Sequence, residues 1–334
     1  MSFDDSGTQE RGTAGFEYDS EPNLQANERK IQLNIGSGIV PSTAYKRIFN
    51  QHTNMTLQQK AESLFNALRS LDTTKLVSVL QRLDVQEALQ VVHMVDREGQ
   101  TLIHRAAYEN SFGISEYLIS YLRDRLHESL ILQLQQINQN EKISKAQEQQ
   151  IYQQVQKQVA EWINTPSKTD QGFYPLHYAS FHGNIKMIKL LVKHGANIKA
   201  KNKMGINMMH VAAQGDQAYS LTYFYKQGLG VNSVDDEGST PLHWACFAGS
   251  DTASYYLQSW SCHVNARDAV GNTPLHLAVK SAAHFPNTRA IKELLIKGGS
   301  RTIETHNGST PYDLIEPSAD DDNLDEELKT LLGK

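Results

Sequence analysis

The side chains best suited to chemistry in this 334-residue chain are its thirteen histidines and two cysteines. None of the histidines has the His-Glu-x-x-His spacing that places two zinc ligands on one helix face. Cys246 follows a small residue in a pattern that predicts a buried, inert thiol. Cys262 precedes His263, but neighbours in sequence do not by that fact form a nucleophile and its base. No nucleophile-elbow, kinase or dinucleotide signature occurs, so we expect a non-enzymatic protein with no catalytic residues, metal or cofactor.

Five of the histidines close a recurring four-residue motif whose fullest form is Thr-Pro-Leu-His. The motif ends at residues 104, 177, 210, 243 and 276, so three successive gaps are 33 residues, and a sixth copy ends at Asp313. Threonine caps a helix, proline fits its first turn, and the small residues that follow let a second helix pack closely. A glycine stands five residues before the end of every copy, which is typical of a tight turn. The pattern predicts a series of helix pairs joined by hairpins.

The 33-residue period and the Thr-Pro-Leu-His motif resemble the ankyrin repeat, roughly from residue 96 to residue 316 apart from one insertion. The resemblance implies an all-α solenoid of helix-turn-helix units with short β-hairpin tips. It also implies that the motif histidines are structural and tie neighbouring units together. The predicted repeats span residues 96–128, 169–201, 202–234, 235–267 and 268–304.

The segments at either end depart from the repeat. Residues 1–50 are rich in polar and small residues without periodicity, which predicts a disordered tail. Residues 56–95 lack the motif but predict two amphipathic helices, Leu57 to Ser70 and Thr73 to Leu83. We interpret residues 56–95 as a degenerate capping unit and residues 305–332 as a C-terminal capping repeat.

A glutamine-rich insertion separates the first two repeats at residues 129–164, with eleven glutamines between Gln133 and Gln158. Apolar residues within it recur at helical spacing, which predicts a long helix that turns near Asn138 to Asn140 and returns. Three interpretations stay open: a solvated helical hairpin packed on itself, a coiled coil that binds a partner or makes oligomers, and disorder.

Composition narrows the class of protein. Lys plus Arg is 32 and Asp plus Glu is 37, a formal net charge of −5, which gives no overall attraction to nucleic acid. No apolar run approaches the ~20 residues of a membrane-spanning helix, and Met1 to Gln9 do not read as a signal peptide. Two cysteines suit a reducing compartment. We expect a cytoplasmic protein with protein or peptide partners, without nucleic-acid binding or membrane insertion.

The resemblance also indicates which surface binds. In ankyrin repeats the specificity positions lie at the hairpin tips and on the first helices, which together form a concave face. Aromatic and methionine residues at these positions predict a largely apolar strip, typical of a peptide groove. Trp244 either belongs to this strip or fills a gap between repeats. The candidate partner-binding residues are Phe173, Phe181, His182, Met204, Ile206, Gln214, Asp236, Glu237, Trp244, Phe247, Val270, Asn272 and Lys280.

A narrower resemblance covers the run from Gly205 to Ala278, which is similar to the ankyrin region of DHHC-type palmitoyltransferases of the huntingtin-interacting kind. The shared features are a weak motif at Asn207 and a tryptophan, Trp244, after the histidine of the next copy. That family uses the region to recruit substrate segments, so the resemblance implies peptide contacts at Gln214 and Trp244. The chain has no Asp-His-His-Cys motif, no Cys-rich domain and no membrane helix.

Two functions therefore compete. The first is an adaptor that binds a protein segment on the concave face. The alternative is the substrate-recruitment region of a truncated or separately encoded S-palmitoyltransferase, which would place the chain on the cytosolic face of an endomembrane.

Overall fold

The computed structural model describes residues 55–137, 142–284, 288–315 and 322–333. Over these residues the fold is the predicted all-α solenoid, with no strand assigned. The helices are α1 Leu57–Arg69, α2 Thr73–Leu80, α3 Val85–Val91, α4 Leu102–Tyr108, α5 Phe112–Ile137, α6 Lys145–Ile163, α7 Pro175–Phe181, α8 Ile185–Lys193, α9 Met208–Gln214, α10 Ala218–Lys226, α11 Pro241–Phe247, α12 Asp251–Ser259, α13 Pro274–Ala282, α14 Arg289–Ile296 and α15 Asp322–Leu332.

The first helix of each repeat begins at the motif because the motif satisfies free N–H groups at the helix start. At α11, the Thr240 hydroxyl oxygen accepts from the N–H of His243, and the His243 ring accepts from the N–H of Thr240 at 3.1 Å. Pro241 occupies the first turn, where no hydrogen bond is lost. At α9 the motif lacks Thr and Pro, yet the Asn207 side chain accepts from the N–H of Met209 at 2.9 Å. The weakest copy of the motif therefore still starts its helix in register.

The repeats stack through their first helices, with α4 against α7, α7 against α9, α9 against α11 and α11 against α13. Each second helix packs on the first helix of its own repeat, as α8 does on α7 and α10 on α9. The small residues after each motif, such as Ala179, Ala212 and Ala245, are at most 1% exposed. Their short side chains allow neighbouring helices to approach closely, so one apolar core continues along the stack.

The hairpin tips are turns, and backbone hydrogen bonds link each tip to the next without forming regular β-strands. In one tip the Asp235 carboxylate accepts from the N–H groups of Glu237 and Ser239 at 3.0 and 2.8 Å. The next residue, Asp236, donates its N–H to the carbonyl of Met204 in the preceding tip at 3.0 Å. Each tip is thus held to the one before it.

The predicted N-terminal capping segment contains a helix that the sequence analysis did not identify. The predicted second helix ends at Leu80 rather than Leu83, and α3 follows it. Asp84 starts α3 with a capping box, because its carboxylate accepts from the N–H of Glu87 at 2.8 Å and Glu87 reaches back to the Asp84 N–H. Helix α1 packs against α2, α3 and α4, so this segment lies against the first repeat.

The glutamine-rich insertion forms a helical hairpin, in which α5 continues without a break and α6 packs back against it. Helix α6 buries Ile151 and Val155, and Trp162 donates its indole N–H to the carbonyl of Val92 at 2.8 Å. The described part of the insertion is therefore helical, and its hairpin packs on the capping segment through Trp162 as well as on itself. Its predicted turn falls within residues 138–141, outside the described residues. The partner-binding coiled coil stays a prediction.

At the other end, the sixth motif begins a 3₁₀ turn, Tyr312–Leu314, rather than an α-helix. Asp313 replaces the histidine, and its carboxylate accepts from the N–H and the hydroxyl of Thr310 at 2.8 and 2.7 Å. An ionised carboxylate has no proton to donate to a further repeat. The predicted disordered tail, residues 1–50, lies outside the described residues. The apolar side of α15 buries three leucines, Leu324, Leu328 and Leu332.

Candidate binding surface

The motif histidines form a chain of contacts through the interior of the stack. The ring nitrogen Nδ1 of His177 accepts from the N–H of Tyr174 at 3.2 Å, which leaves the proton on Nε2. That Nε2–H donates to the carbonyl of Ile206, just before the next motif, at 3.1 Å. The other four histidines repeat the contact, at 3.1 to 3.2 Å, with the carbonyls of Phe173, Ser239, Asn272 and Ser309.

Burial determines the protonation state of these histidines. It lowers the pKa of His104, His177 and His210 to about 4, and it lowers the pKa of His243 and His276 as well. At neutral pH all five rings are therefore neutral, as their hydrogen bonds require. They hold one repeat to the next and are not placed for proton transfer to a substrate.

The two cysteines lie inside the protein. Cys246 is 1% exposed and Cys262 is 9% exposed. Burial raises the pKa of both thiols, that of Cys262 to about 11, and a thiol in that range is a poor nucleophile at neutral pH. Across the described residues, no group of His, Cys, Asp or Glu side chains is arranged to hold a metal ion. In the same residues, no helix is both long and apolar enough to cross a membrane.

One side of the first helices carries a row of exposed or half-buried side chains. Each lies four residues after the end of its motif, so successive repeats bring equivalent positions side by side. Three of the five are aromatic and exposed, with Tyr108 at 45%, Phe181 at 40% and Phe247 at 60% exposure. We call this row the first-helix face, and its members are Tyr108, Phe181, Gln214, Phe247 and Lys280.

An aromatic cluster occupies the first-helix face where α4 meets α7. The rings of Tyr108 and Tyr178 meet edge to face with centroids 5.6 Å apart, and Phe173 lies 5.9 Å from Tyr178. His182 meets both Tyr108 and Phe181 edge to face, at 6.2 and 5.4 Å. Such contacts fix the rings in place before any partner arrives. Tyr108 and Tyr178 were not among the predicted partner-binding residues, although their positions relative to the motif match those of Phe181 and Trp244.

A charged group borders this cluster. Arg105 is only 7% exposed and pairs with Glu98 at 2.7 Å and Glu109 at 3.0 Å, while its guanidinium lies 5.0 Å from the Tyr108 ring centroid. A buried guanidinium held by two carboxylates is fixed in orientation. Arg105 therefore contacts the Tyr108 ring and holds the carboxylates of Glu98 and Glu109 at the edge of the cluster.

Trp244 is half-buried, and its place in a partner-binding strip stays a prediction. Its indole N–H donates to the Asp235 carboxylate at 2.8 Å, and its ring meets the edge of His210. The ring thus fills space between α9 and α11 while one part stays accessible. Asp235 also closes the hairpin tip, so Trp244 joins that tip to the first helix.

Two of the predicted partner-binding residues are corrected by the structure. Ile206 is 1% exposed and Asn272 is 6% exposed, so neither side chain belongs to an accessible strip. The reason is that their carbonyls accept the histidine protons of the preceding repeats, which draws this stretch of chain inward. Of the other candidates, half-buried positions are Phe173, His182, Met204, Gln214 and Trp244, and exposed positions are Phe181, Asp236, Glu237, Phe247, Val270 and Lys280.

Comparison with known proteins finds ankyrin repeats in two parts of the stack. The family model described as "Ankyrin repeats (3 copies)" matches residues 209–305, and the model "Ankyrin repeat" matches residues 171–203. A relative from Rickettsia bellii (strain RML369-C), named "Putative ankyrin repeat protein", is 26% identical over 188 residues. The match covers 53% of this chain and 51% of the relative, so the chain spans about half the length of the curated relative it matches.

Proposed function

Since the chain contains ankyrin repeats, which indicate a protein-interaction module, we propose that it is a non-enzymatic adaptor that binds a partner segment along the first-helix face. The supporting observation is the accessible aromatic series on successive rigid helices, Tyr108, Phe181 and Phe247. Aromatic side chains anchored on helices are typical centres of binding energy. A partner that covers these rings would remove their apolar surface from water, which favours binding.

The same face suggests the chemistry of the bound segment. Gln214 lies between Phe181 and Phe247 along the row, and its amide can both donate to and accept from an extended peptide backbone. Arg105 and its two carboxylates border one end of the row, and Lys280 is exposed at the other. The arrangement favours an extended segment with apolar side chains at its centre and a basic residue near the carboxylates.

The test is selection of binding peptides from a displayed library with the full chain, followed by affinity measurement on variants. We expect Phe181→Glu combined with Phe247→Glu to weaken the selected peptides by about tenfold or more, because each change removes an apolar anchor. The matched control combines Tyr152→Glu and Ile296→Glu, which alter residues of 61% and 81% exposure on other helices. Equal affinity of both double variants, each with an unchanged circular dichroism spectrum, would refute the assignment.

The second proposal is the substrate-recruitment region of an S-palmitoyltransferase. Its support is that Gln214 and Trp244, the two residues that the resemblance implies as peptide contacts, are both partly accessible on neighbouring helices. Sequencing the full transcript tests it: a reading frame continuing into apolar helices and a Cys-rich segment would favour it, and a stop codon after Lys334 would argue against it. For either proposal we place the repeats in the cytosol.

A further inference from the structure

A second surface, formed by the second helices of the repeats, carries a cluster of positive charge. Helix α8 presents Lys186, Lys189 and Lys193 at spacings of three and four residues, so they share one side of the helix, and all three are exposed. The helix contains no acidic residue. No carboxylate among the described residues pairs with any of the three lysines. We call these three residues the α8 lysine row.

This arrangement works against the stability of α8. Like charges three and four residues apart repel each other on a helix. Lys186 also stands in the first turn, where the helix dipole favours a negative charge. Natural sequences tend to be locally consistent, and a local conflict without a compensating partner inside the protein points to a functional constraint. The missing negative charge would then come from outside the described residues.

The positive charge is concentrated in one repeat. Residues 171–203 hold six lysines and no Asp or Glu, a net charge of +6, whereas residues 204–236 hold three aspartates and one lysine, a net charge of −2. The following hairpin tip exposes Asp236 and Glu237. On the other side, α5 packs against α8, and its Glu116 and Arg123 both act on His194 at the end of α8. The surface is thus a positive island bordered by mixed or negative charge.

The neighbouring second helix extends the island with hydrogen-bond donors. Residues 33 positions after the α8 lysine row are Tyr219, Thr222 and Lys226 on α10. Tyr219 is 82% exposed, the highest exposure among the large hydrophobic side chains described, and Lys226 is exposed as well. Ammonium groups and hydroxyl groups at equivalent positions of successive second helices suit carboxylates, which accept hydrogen bonds and cannot donate them when ionised.

We propose that the α8 lysine row, together with Tyr219 and Lys226 at the equivalent positions of α10, binds a short acidic segment of a partner protein. At about 1.5 Å per residue the row is about 10 Å long, which corresponds to about three residues of an extended peptide. A nucleic acid or an anionic membrane would lay its charges over a wider area, where the bordering acidic residues would repel it. This surface is separate from the first-helix face, so the two proposals stand or fall independently.

The test uses the full chain and a fluorescein-labelled hexaglutamate peptide, with hexaglutamine as the uncharged comparison and fluorescence anisotropy as the measurement. The variant replaces Lys186, Lys189 and Lys193 together by Glu. A control of equal charge change replaces three exposed lysines on other helices and loops, Lys75, Lys145 and Lys297. We expect the α8 variant to bind hexaglutamate at least about tenfold more weakly, and the control to change by less than about threefold.

Further measurements separate the alternatives. Tyr219→Phe should weaken binding by about twofold to fivefold, because it removes one hydroxyl donor, and raising the salt concentration should weaken binding further. Lys→Gln replacements of the α8 lysine row repeat the comparison if the Glu variant loses its helical circular dichroism. Equal losses in the α8 variant and the control would overturn the proposal. So would an absence of hexaglutamate binding, or a surface that binds duplex DNA or phosphatidylserine vesicles through the same lysines but not the peptide.

Discussion

Lowering the pH from about 7.5 to about 5 should weaken the stack through its buried histidines. Each of His104, His177 and His210 has a pKa of about 4 in the folded protein, against 6.5 for a free imidazole. Between these values the unfolded chain binds more protons than the folded one, so stability is present above pH 6.5 and is lost as pH falls toward 4. At about pH 5 the expected loss is about 2 kcal/mol for each ring, or about 6 kcal/mol for the three. That is comparable with the whole unfolding free energy of a typical domain.

His177→Gln isolates one ring. A glutamine amide can donate to the carbonyl of Ile206 and accept from the N–H of Tyr174, as the histidine does, but it does not titrate. We expect the variant to be less stable than the wild type by about 1 kcal/mol at about pH 7.5, because its geometry is less favourable. At about pH 5 the order should reverse, with the variant more stable by about 1 kcal/mol, since the wild type alone loses about 2 kcal/mol.

The assay is urea unfolding at both pH values, followed by circular dichroism and tryptophan fluorescence together, because repeat proteins can unfold in stages. His263→Gln, which removes an exposed imidazole, measures the background of any histidine replacement. The reasoning is wrong if the stability difference between His177→Gln and the wild type is the same at both pH values.

Two further predictions concern local geometry and use the same unfolding assay. Gly205→Ala should destabilise the protein by about 2 kcal/mol or more, because φ is +73° and a Cβ would lie 2.5 Å from a carboxylate oxygen of Asp236; Gly113→Ala, where a Cβ meets nothing within 4 Å inside a helix, should be neutral or stabilising. Asn207→Thr should stabilise the protein by about 1 kcal/mol. The Asn207 side-chain oxygen and Nδ1 of His210 are both acceptors and lie 2.9 Å apart, whereas a threonine hydroxyl would donate to Nδ1. No gain in stability would show that the asparagine already satisfies the ring.

The repeating architecture can be read from the sequence because it rests on local chemistry. The capping motif and the glycine before it act over a few residues, and they recur every 33 residues. They place the first helix correctly even in the repeat where Asn207 stands at the position that Thr240 holds in the next repeat. The structural role of the histidines is implied by the resemblance to ankyrin repeats. The sequence missed α3, whose start at Asp84 depends on a capping box in a segment without the repeat pattern.

The accessibility of single side chains is different, because it depends on contacts between repeats. Ile206 looks like a surface residue by position, and it is buried because a histidine 29 residues earlier holds its carbonyl. Tyr108 and Tyr178 form one cluster because α4 and α7 pack together, although an insertion separates their repeats in the chain. The sequence alone therefore determined the repeat unit and the positions of its five motif histidines. Tertiary structure decided which side chains reach the surface, since burial depends on packing across the stack rather than on position within one repeat.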